Sequence, residues 1–331
     1  MQPIKESVIL ESTATLVRTH TDSIDKIFLP YREQQTISIL FKNGRTHYYH
    51  PISNTLLGEK SASIEFFENL LVLHRTLGIP KIGKYIVGSS AIVFFLLLLT
   101  SGFHIWWNLY GHSLKKGFKI AWKGKKKKLD FDLHKALGAY FIVPLFIMAV
   151  SGAYFTYNAS YKTVLQIIDG NEKESDNQHM PMIKGSTSLI DLITDQDRGY
   201  VIWAIYFPLE KTEPYKIRYI RERNIESGPR RTKEMTLDTS GAITTLSDYG
   251  TDTNSQRIAA QFYPIHIGEM AGTPGRILVF VSGMVPLILF ITGLRIYMSK
   301  RKKKQNRPRD FFRSRPLGGV GPPSPDKGKE D

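Results

Sequence analysis

Three long stretches of the sequence contain no Asp, Glu, Lys or Arg, and they constrain the fold more than any other feature. They are residues 85–114, 136–161 and 277–294, which contain 30, 26 and 18 residues. A helix of about 20 apolar residues crosses the ~30 Å hydrocarbon core of a bilayer. The alternative is three buried helices of a soluble enzyme, and these lengths disfavour it. The sequence therefore predicts an integral membrane protein.

The distribution of charge predicts how the chain is oriented. The chain carries 45 Lys and Arg against 30 Asp and Glu, a net charge of +15. Most of the excess lies in the loop 108–133 and in the tail 299–331, which three spans place on the same side of the membrane. Short basic loops stay in the cytoplasm, so the segment 159–260 is predicted to be outside. The charge indicates topology and not nucleic-acid binding.

The sequence contains no cysteine. This excludes disulfides, thiolate-bound zinc or iron–sulfur centres, c-type haem attachment and a cysteine nucleophile. The three apolar stretches also contain no carboxylate, which excludes a carboxylate-rich di-metal centre within them and disfavours a transporter. Histidine is the remaining residue type that suits a metal in such a bundle.

An internal repeat relates the two halves of the chain at an offset of about 192 residues. Each copy has a histidine on the outer side, a short Gly/Pro break and a span that descends to the cytoplasm. The matching pairs are Leu73-His74 with Ile265-His266, Gly83-Lys84 with Gly275-Arg276, and Thr100-Ser101-Gly102 with Thr292-Gly293.

The segments outside the spans repeat as well. Alternating apolar residues at 27–41 and 205–220 predict antiparallel, half-buried strands, and helical stretches at 4–18 and 187–195 precede them. A rising span leads into the second of these α+β modules, but no such span precedes the first, and residues 1–20 contain no signal peptide. We therefore expect a fragment or split product whose first span lies on a companion segment. An unusual crossing route for the N-terminal tail is the alternative.

Four of the nine histidines lie at the ends of predicted spans. His74 and His266 precede descending spans by nearly the same interval, so we expect both at one depth near the outer surface. His104 and His134 lie at the inner ends of spans. A single histidine at such a place is often only an interfacial residue, but a pair related by a repeat favours a site. Two imidazoles that face each other across a bundle suit a six-coordinate b-type haem, which carries electrons and does not bind oxygen.

Two arginines, Arg75 and Arg276, flank the outer histidine pair. They are predicted to pair with haem propionates, and anchoring of the helices at the membrane surface is an equally good explanation. A basic cluster in the second module could attract an anionic chelate, with a solvated hairpin as the alternative. Its members are Arg218, Arg221, Arg223, Arg230, Arg231 and Lys233.

The chain resembles the PepSY-associated transmembrane proteins of bacterial inner membranes, over residues from about 5 to 300. The motifs are Leu73-His-Arg-Thr-Leu-Gly78, Gly83-Lys-Tyr-Ile-Val-Gly88, Asp132-Leu-His-Lys-Ala-Leu-Gly-Ala-Tyr140, and Ile265-His-Ile-Gly-Glu269 with Gly275-Arg276 and Thr292-Gly293. The family has four spans and two extracytoplasmic PepSY modules, and it includes di-haem reductases that reduce ferric siderophores in the periplasm.

The resemblance implies a role for each histidine. It implies that His74 and His266 are the axial ligands of an outer haem and that His134 is a ligand of an inner haem. The second inner ligand would lie on the first span, which we expect on a companion segment, and His104 is a candidate substitute.

We therefore predict a membrane α+β fold, a bundle of three transmembrane helices with two small extracytoplasmic PepSY-like α+β modules. The predicted segments are a first module at 1–64, an outer interfacial helix and span at 65–107, a basic cytoplasmic loop at 108–133, a span at 134–158, a second module at 159–260, an outer segment and span at 261–298, and a basic disordered cytoplasmic tail at 299–331.

The predicted function is haem b-dependent electron transfer, through one or two haems, across the bacterial inner membrane. A quinol or a separate flavoprotein would be the donor, and a ferric siderophore or another periplasmic compound would be the acceptor. The chain would then be an oxidoreductase surrounded by membrane lipids. The alternative is a membrane-anchored binding or regulatory protein, without cofactor, whose PepSY modules bind a peptide or a protease.

Overall fold

The computed structural model describes residues 4–20, 23–32, 34–169, 188–194, 199–210, 212–224 and 227–305. The helices are α1 (Glu6–His20), α2 (Ala62–Thr76), α3 (Gly83–Val93), α4 (Thr100–Tyr110), α5 (Leu114–Phe118), α6 (Lys126–Tyr140), α7 (Ile142–Thr156), α8 (Asn158–Gln166), α9 (Leu189–Thr194), α10 (Asn254–His266) and α11 (Gly272–Gln305). The strands are β1 (Ile24–Phe28), β2 (Ile37–Phe41), β3 (Thr46–Tyr49), β4 (Leu56–Glu59), β5 (Val201–Tyr206), β6 (Tyr215–Ile220), β7 (Thr232–Leu237) and β8 (Ile243–Asp248).

The eight strands form one antiparallel sheet in the order β4-β3-β2-β1-β5-β6-β7-β8. Each predicted module contributes four consecutive strands, and β1 pairs with β5 at the centre, where Ile27 lies opposite Ile205. The sequence predicts the first two antiparallel strands of each module correctly, and α1 and α9 correspond to the two predicted helical stretches. Residues 187 and 195 of the second stretch lie outside the described residues. The pairing of the two modules into one sheet was not predicted.

One face of this sheet packs on α1 and α9. Strand side chains alternate between the two faces, so Ile27, Ile205 and Ile217 point to the same side and are fully buried. Val17 of α1 and Ile193 of α9 belong to the same core. Burial of these apolar side chains stabilises the sheet across the junction between the modules.

We expect the substitution Ile205→Val at this junction to lower the free energy of unfolding by about 0.5–1.5 kcal/mol, because it removes one buried methylene and leaves a cavity. The matched control is Ile52→Val, since Ile52 is 57% exposed. Thermal unfolding of both variants in detergent measures the difference. Equal midpoints for the two variants would contradict the burial that we assign to the β1–β5 junction.

Among the described residues, two helical segments are long and apolar enough to cross a membrane. They are Gly83–Tyr110, which joins α3 and α4 through a π-helical turn, and Glu269–Lys302, which contains most of α11. They correspond to the first and third predicted spans. α11 continues to Gln305, so the predicted disorder does not begin at residue 299, and residues 306–331 lie outside the described part.

The second predicted span is a bent pair of helices. α6 and α7 meet at an angle of 62°, which corresponds to a broken span or a re-entrant loop. Pro144 supplies the physical reason, because it has no N–H to donate and its ring clashes with the carbonyl four residues earlier. The helix is interrupted at Phe141, and Pro144 occupies the first turn of α7, where proline is tolerated. The bundle of three transmembrane helices therefore stays a prediction.

Candidate metal centre

The two outer histidines of the repeat lie next to each other. His74 near the end of α2 and His266 at the end of α10 have ring centroids 6.2 Å apart, with an angle of 32° between the ring planes. Bonds from a metal to imidazole nitrogen are about 2 Å long, so two rings that share one metal ion have centroids roughly 6 Å apart. The spacing of His74 and His266 therefore fits one metal ion between them.

The helix that carries His266 has defined ends. A capping box opens α10, in which Thr253 accepts a hydrogen bond from the backbone of Gln256 and the Gln256 side chain accepts one from the Thr253 backbone. After His266 the chain turns at Gly268, whose φ of 74° favours glycine. The backbones of Gly268 and Gly275 lie so close together that a Cβ on either residue would overlap with the backbone of the other. This corner fixes the position of His266 relative to α11.

The tautomer of His266 follows from its hydrogen bonds. The Ser151 hydroxyl in α7 donates to the Ile147 carbonyl (2.6 Å), so it accepts from Nδ1–H of His266 (2.9 Å). The proton on Nδ1 leaves a lone pair on Nε2, which is the form that binds a metal. Burial, with smaller effects of His74 and Arg75, lowers the pKa of His266 to about 4, so the ring is neutral at pH 7.

The inner histidine, His134 in α6, is held in the same way. The Thr292 hydroxyl donates to the Ile288 carbonyl (2.7 Å) and accepts from Nδ1–H of His134 (3.0 Å), and the Leu289 carbonyl lies 3.1 Å from the same nitrogen. Nε2 of His134 therefore also carries a lone pair. His134 borders a cavity of about 290 Å³, whose other walls include Phe131, Ile296, Tyr297 and Lys300.

Each of these histidines lies over a glycine that follows the hydroxyl residue. A Cβ on Gly152 would lie 3.3 Å from Cε1 of His266, and a Cβ on Gly293 would lie 3.2 Å from Cε1 of His134. We call such a Ser/Thr–Gly pair a hydroxyl–glycine ledge. The sequence places Thr292-Gly293 in the repeat but does not predict that this pair holds a histidine.

A third hydroxyl–glycine ledge, Ser101-Gly102, lies in α4. The Ser101 hydroxyl donates to the Leu97 carbonyl, as the other two hydroxyls do to their own helices. Apart from Gly102 itself, its two chain neighbours and the backbone of its own helix, no described residue has an atom within 4 Å of the position that a Cβ on Gly102 would take. This ledge matches Thr292-Gly293 in the repeat and has space for an imidazole.

The fourth candidate, His104, interacts within its own helix. It is exposed, and its Nε2 lies 3.0 Å from Nδ2 of Asn108 in α4. This nitrogen therefore already has a hydrogen-bond partner in its own helix. Ligation by His104 stays a prediction that the geometry does not favour. The described part of the chain also contains no group of three or more His, Asp or Glu side chains that could hold a metal ion, and the outer pair offers two candidate ligands.

A buried carboxylate behind the outer pair connects the sheet to α11. Glu269 lies three residues after His266 and is only 2% exposed. It accepts hydrogen bonds from Arg32 (2.8 Å), Arg230 (2.7 Å) and the Tyr31 hydroxyl (3.1 Å). Arg32 and Tyr31 follow β1, and Arg230 precedes β7, so this cluster joins both modules to the corner beside His266. The sequence does not predict this cluster, because its members are distant along the chain.

Three of the six residues of the predicted basic cluster form ion pairs. Arg218 pairs with Glu234 at 2.6 Å, Arg223 pairs with Glu6, and Arg230 pairs with Glu269. These three arginines therefore stabilise the fold, and attraction of an anionic chelate by the cluster stays a prediction.

The sequence motifs agree with the comparison to known proteins. No curated protein matches the chain. A family model described as the PepSY-associated TM region matches residues 8–300, and it includes both members of the outer pair and His134. Because the match covers most of the 331 residues, the chain belongs to the family of membrane proteins with a PepSY-associated transmembrane region.

Proposed function

We propose that the chain binds haem b between His74 and His266 and conducts electrons across the membrane to an acceptor outside. The 6.2 Å spacing of the two rings is the observation that carries the proposal. The Nδ1–H of His266 is committed to Ser151, which leaves Nε2 for the iron. Haem would supply reversible one-electron chemistry, and the protein would supply its binding and orientation.

The outer site also has cations for the haem propionates. Arg75 follows His74 in α2 and influences the pKa of His266, so it lies close to the pair. Arg276 lies in the first turn of α11, just beyond the corner formed by Gly268 and Gly275. Both positions suit pairing with carboxylates at the outer surface of the membrane.

A second haem at the inner side would be held by His134. Its partner ligand would be an imidazole on a companion helix, resting on the ledge Ser101-Gly102 as His134 rests on Thr292-Gly293. His104 is the alternative ligand, although its Nε2 is bound to Asn108. The donor would be a quinol or a separate flavoprotein that reaches the inner end.

The proposed orientation follows the charge distribution. The basic loop and the basic end of α11 would face the cytoplasm, and the sheet would lie in the periplasm of a bacterial inner membrane. Leu96, Leu97 and Leu98 are more than half exposed and would contact membrane lipids. The acceptor would be a ferric siderophore or a related iron chelate, which makes the chain an oxidoreductase.

One observation favours the regulatory alternative, a cofactor-free protein that binds a peptide or a protease. β4 forms an edge of the sheet, and Leu56 and Leu57 in it are 54% and 55% exposed. An exposed edge strand can pair with an extended peptide.

The spectrum of the full-length protein tests the proposed function. We expect protein purified in detergent from haem-replete cells to be red, with a reduced-minus-oxidised spectrum of haem b. We also expect the reduced protein to be reoxidised by an iron(III) chelate. A colourless preparation would overturn the proposal and favour the regulatory alternative.

A further inference from the structure

The second face of the sheet, opposite the core, combines aromatic and basic side chains. Lys26 lies opposite Tyr206 across the β1–β5 pair, and Arg218 lies opposite Ala204 across the β5–β6 pair. Phe28 belongs to the same face, because it lies opposite Ala204 from the other side. We call Lys26, Phe28, Tyr206 and Arg218, with Lys216 beside them, the aromatic–basic face.

The cations of this face lie over its rings. The Arg218 guanidinium is 4.9 Å from the centroid of the Tyr206 ring. Nζ of Lys26, which lies on the neighbouring strand β1, is 5.9 Å from the same centroid. The ring of Phe28 is 6.2 Å from that of Tyr206. The side chains of Lys26 and Arg218 are 36% and 38% exposed, so a ligand from solution can reach them.

The face and its margin carry more positive than negative charge. Five cations (Lys26, Arg32, Lys216, Arg218 and Arg230) stand against three carboxylates (Asp25, Glu234 and Glu269). A ligand with several negative charges is therefore favoured over a neutral one, most strongly at low ionic strength.

A series of close contacts connects this face to the metal centre. The ring of Trp203, at the bulge of β5, is 6.3 Å from that of Phe28. Arg230 lies over both Trp203 (5.4 Å) and Tyr263 (4.9 Å). Phe155 then lies between Tyr263 and His266, with centroid distances of 6.2 Å and 5.3 Å. The aromatic–basic face is thus continuous, through side chains in contact, with a ring of the outer pair.

We propose that the aromatic–basic face binds the electron acceptor and that the acceptor is an anionic iron(III) chelate with aromatic ligands, such as a tris-catecholate. The inference rests on the proposed function and specifies its substrate class. Catecholate rings would stack on Phe28 and Tyr206, and the charge of the complex would be met by Lys26 and Arg218. A neutral chelate with aliphatic ligands, such as a tris-hydroxamate, would gain neither contact.

The electron balance of the step is simple. Iron(III) in the chelate accepts one electron and becomes iron(II), and the quinol or flavoprotein donor is oxidised by the same amount. The contacts through Trp203, Arg230, Tyr263 and Phe155 lie between the outer pair and the bound chelate.

Binding can be tested without electron transfer, because gallium(III) replaces iron(III) and cannot accept an electron. The probes are gallium(III) tris-catecholate and neutral gallium(III) tris-acetohydroxamate, measured by equilibrium dialysis against the full chain in detergent. We expect the catecholate complex to bind at least about tenfold more tightly. We expect Arg218→Gln and Lys26→Gln each to weaken its binding by about three- to tenfold.

The matched control is Arg45→Gln, in the exposed turn between β2 and β3. Equal affinity for the two chelates, or equal effects of Arg218→Gln, Lys26→Gln and Arg45→Gln, would overturn the inference. Thermal unfolding shows whether each variant is folded, and Lys26→Gln leaves the pair of Arg218 with Glu234 intact. The experiment distinguishes a failure of this inference from a failure of the proposed function. Selective binding of the catecholate complex by a colourless protein would support the chelate site and contradict the binding of haem.

Discussion

The substitution His266→Ala is expected to remove the outer haem, and with it the outer haem's share of the haem b spectrum of the purified protein. His266 has the geometry of a ligand that is prepared in advance, since Ser151 fixes its Nδ1–H and Gly152 gives the ring space. Alanine at this position removes one of the two imidazoles, and the remaining His74 is exposed on α2 and has no second histidine beside it among the described residues. We expect His74→Ala to give the same loss, measured as haem per protein and as the reduced-minus-oxidised spectrum.

The matched control is His104→Ala. This histidine is exposed and bound to Asn108, so its removal is expected to leave the outer haem unchanged. The variant Ser151→Ala provides a finer test, because it keeps the ligand but removes the acceptor of its Nδ1–H. Loss of such a supporting hydrogen bond typically lowers metal affinity by about 10- to 100-fold. An unchanged haem content and spectrum in His266→Ala would show that no haem is bound between His74 and His266.

The outer histidine pair could be predicted from the sequence, because the repeat places both residues before a descending span. Because both copies of the repeat have the same spacing between histidine and span, they predict the same membrane depth for both histidines, which a single histidine cannot do. His74 and His266 are adjacent in the structure. The hydroxyl–glycine ledges were not predicted, although Thr292-Gly293 was part of the repeat. A Ser–Gly or Thr–Gly dipeptide is common, and only the crossing of α6 with α11 shows which ring lies over it.

Two further features, the joining of the two modules and the cluster at Glu269, also could not be predicted from the sequence. Alternation along β1 and β5 predicts which residues face a core, but it does not say which strand lies at an edge and which pairs with the other module. Glu269 appeared in the sequence only as part of a motif. Its partners Arg32 and Arg230 lie 237 and 39 residues away, so the three meet only because the sheet is continuous.

The substitution Glu269→Ala is expected to lower the free energy of unfolding by about 3–5 kcal/mol, because it removes the common partner of two buried cations. The side chains of Arg32 and Arg230 are only 6% and 14% exposed, and that of Glu269 is 3% exposed. Water cannot replace the carboxylate at such a site without opening the junction between the sheet and α11. Thermal unfolding in detergent, followed by tryptophan fluorescence, measures the loss.

The matched control for this prediction is Glu68→Ala, which breaks an ion pair with Lys60 at the surface. Glu68 is 52% exposed, and exposed pairs contribute about 0–1 kcal/mol, so its unfolding midpoint should stay close to that of the wild type. Glu269→Gln keeps the shape and one acceptor oxygen but removes the charge, so we expect an intermediate loss. Equal midpoints for Glu269→Ala and Glu68→Ala would show that the cluster does not hold the sheet to the membrane helix. Because Glu269 lies three residues after His266, a loosened corner should also broaden the haem spectrum of Glu269→Ala, and Glu68→Ala should leave it unchanged.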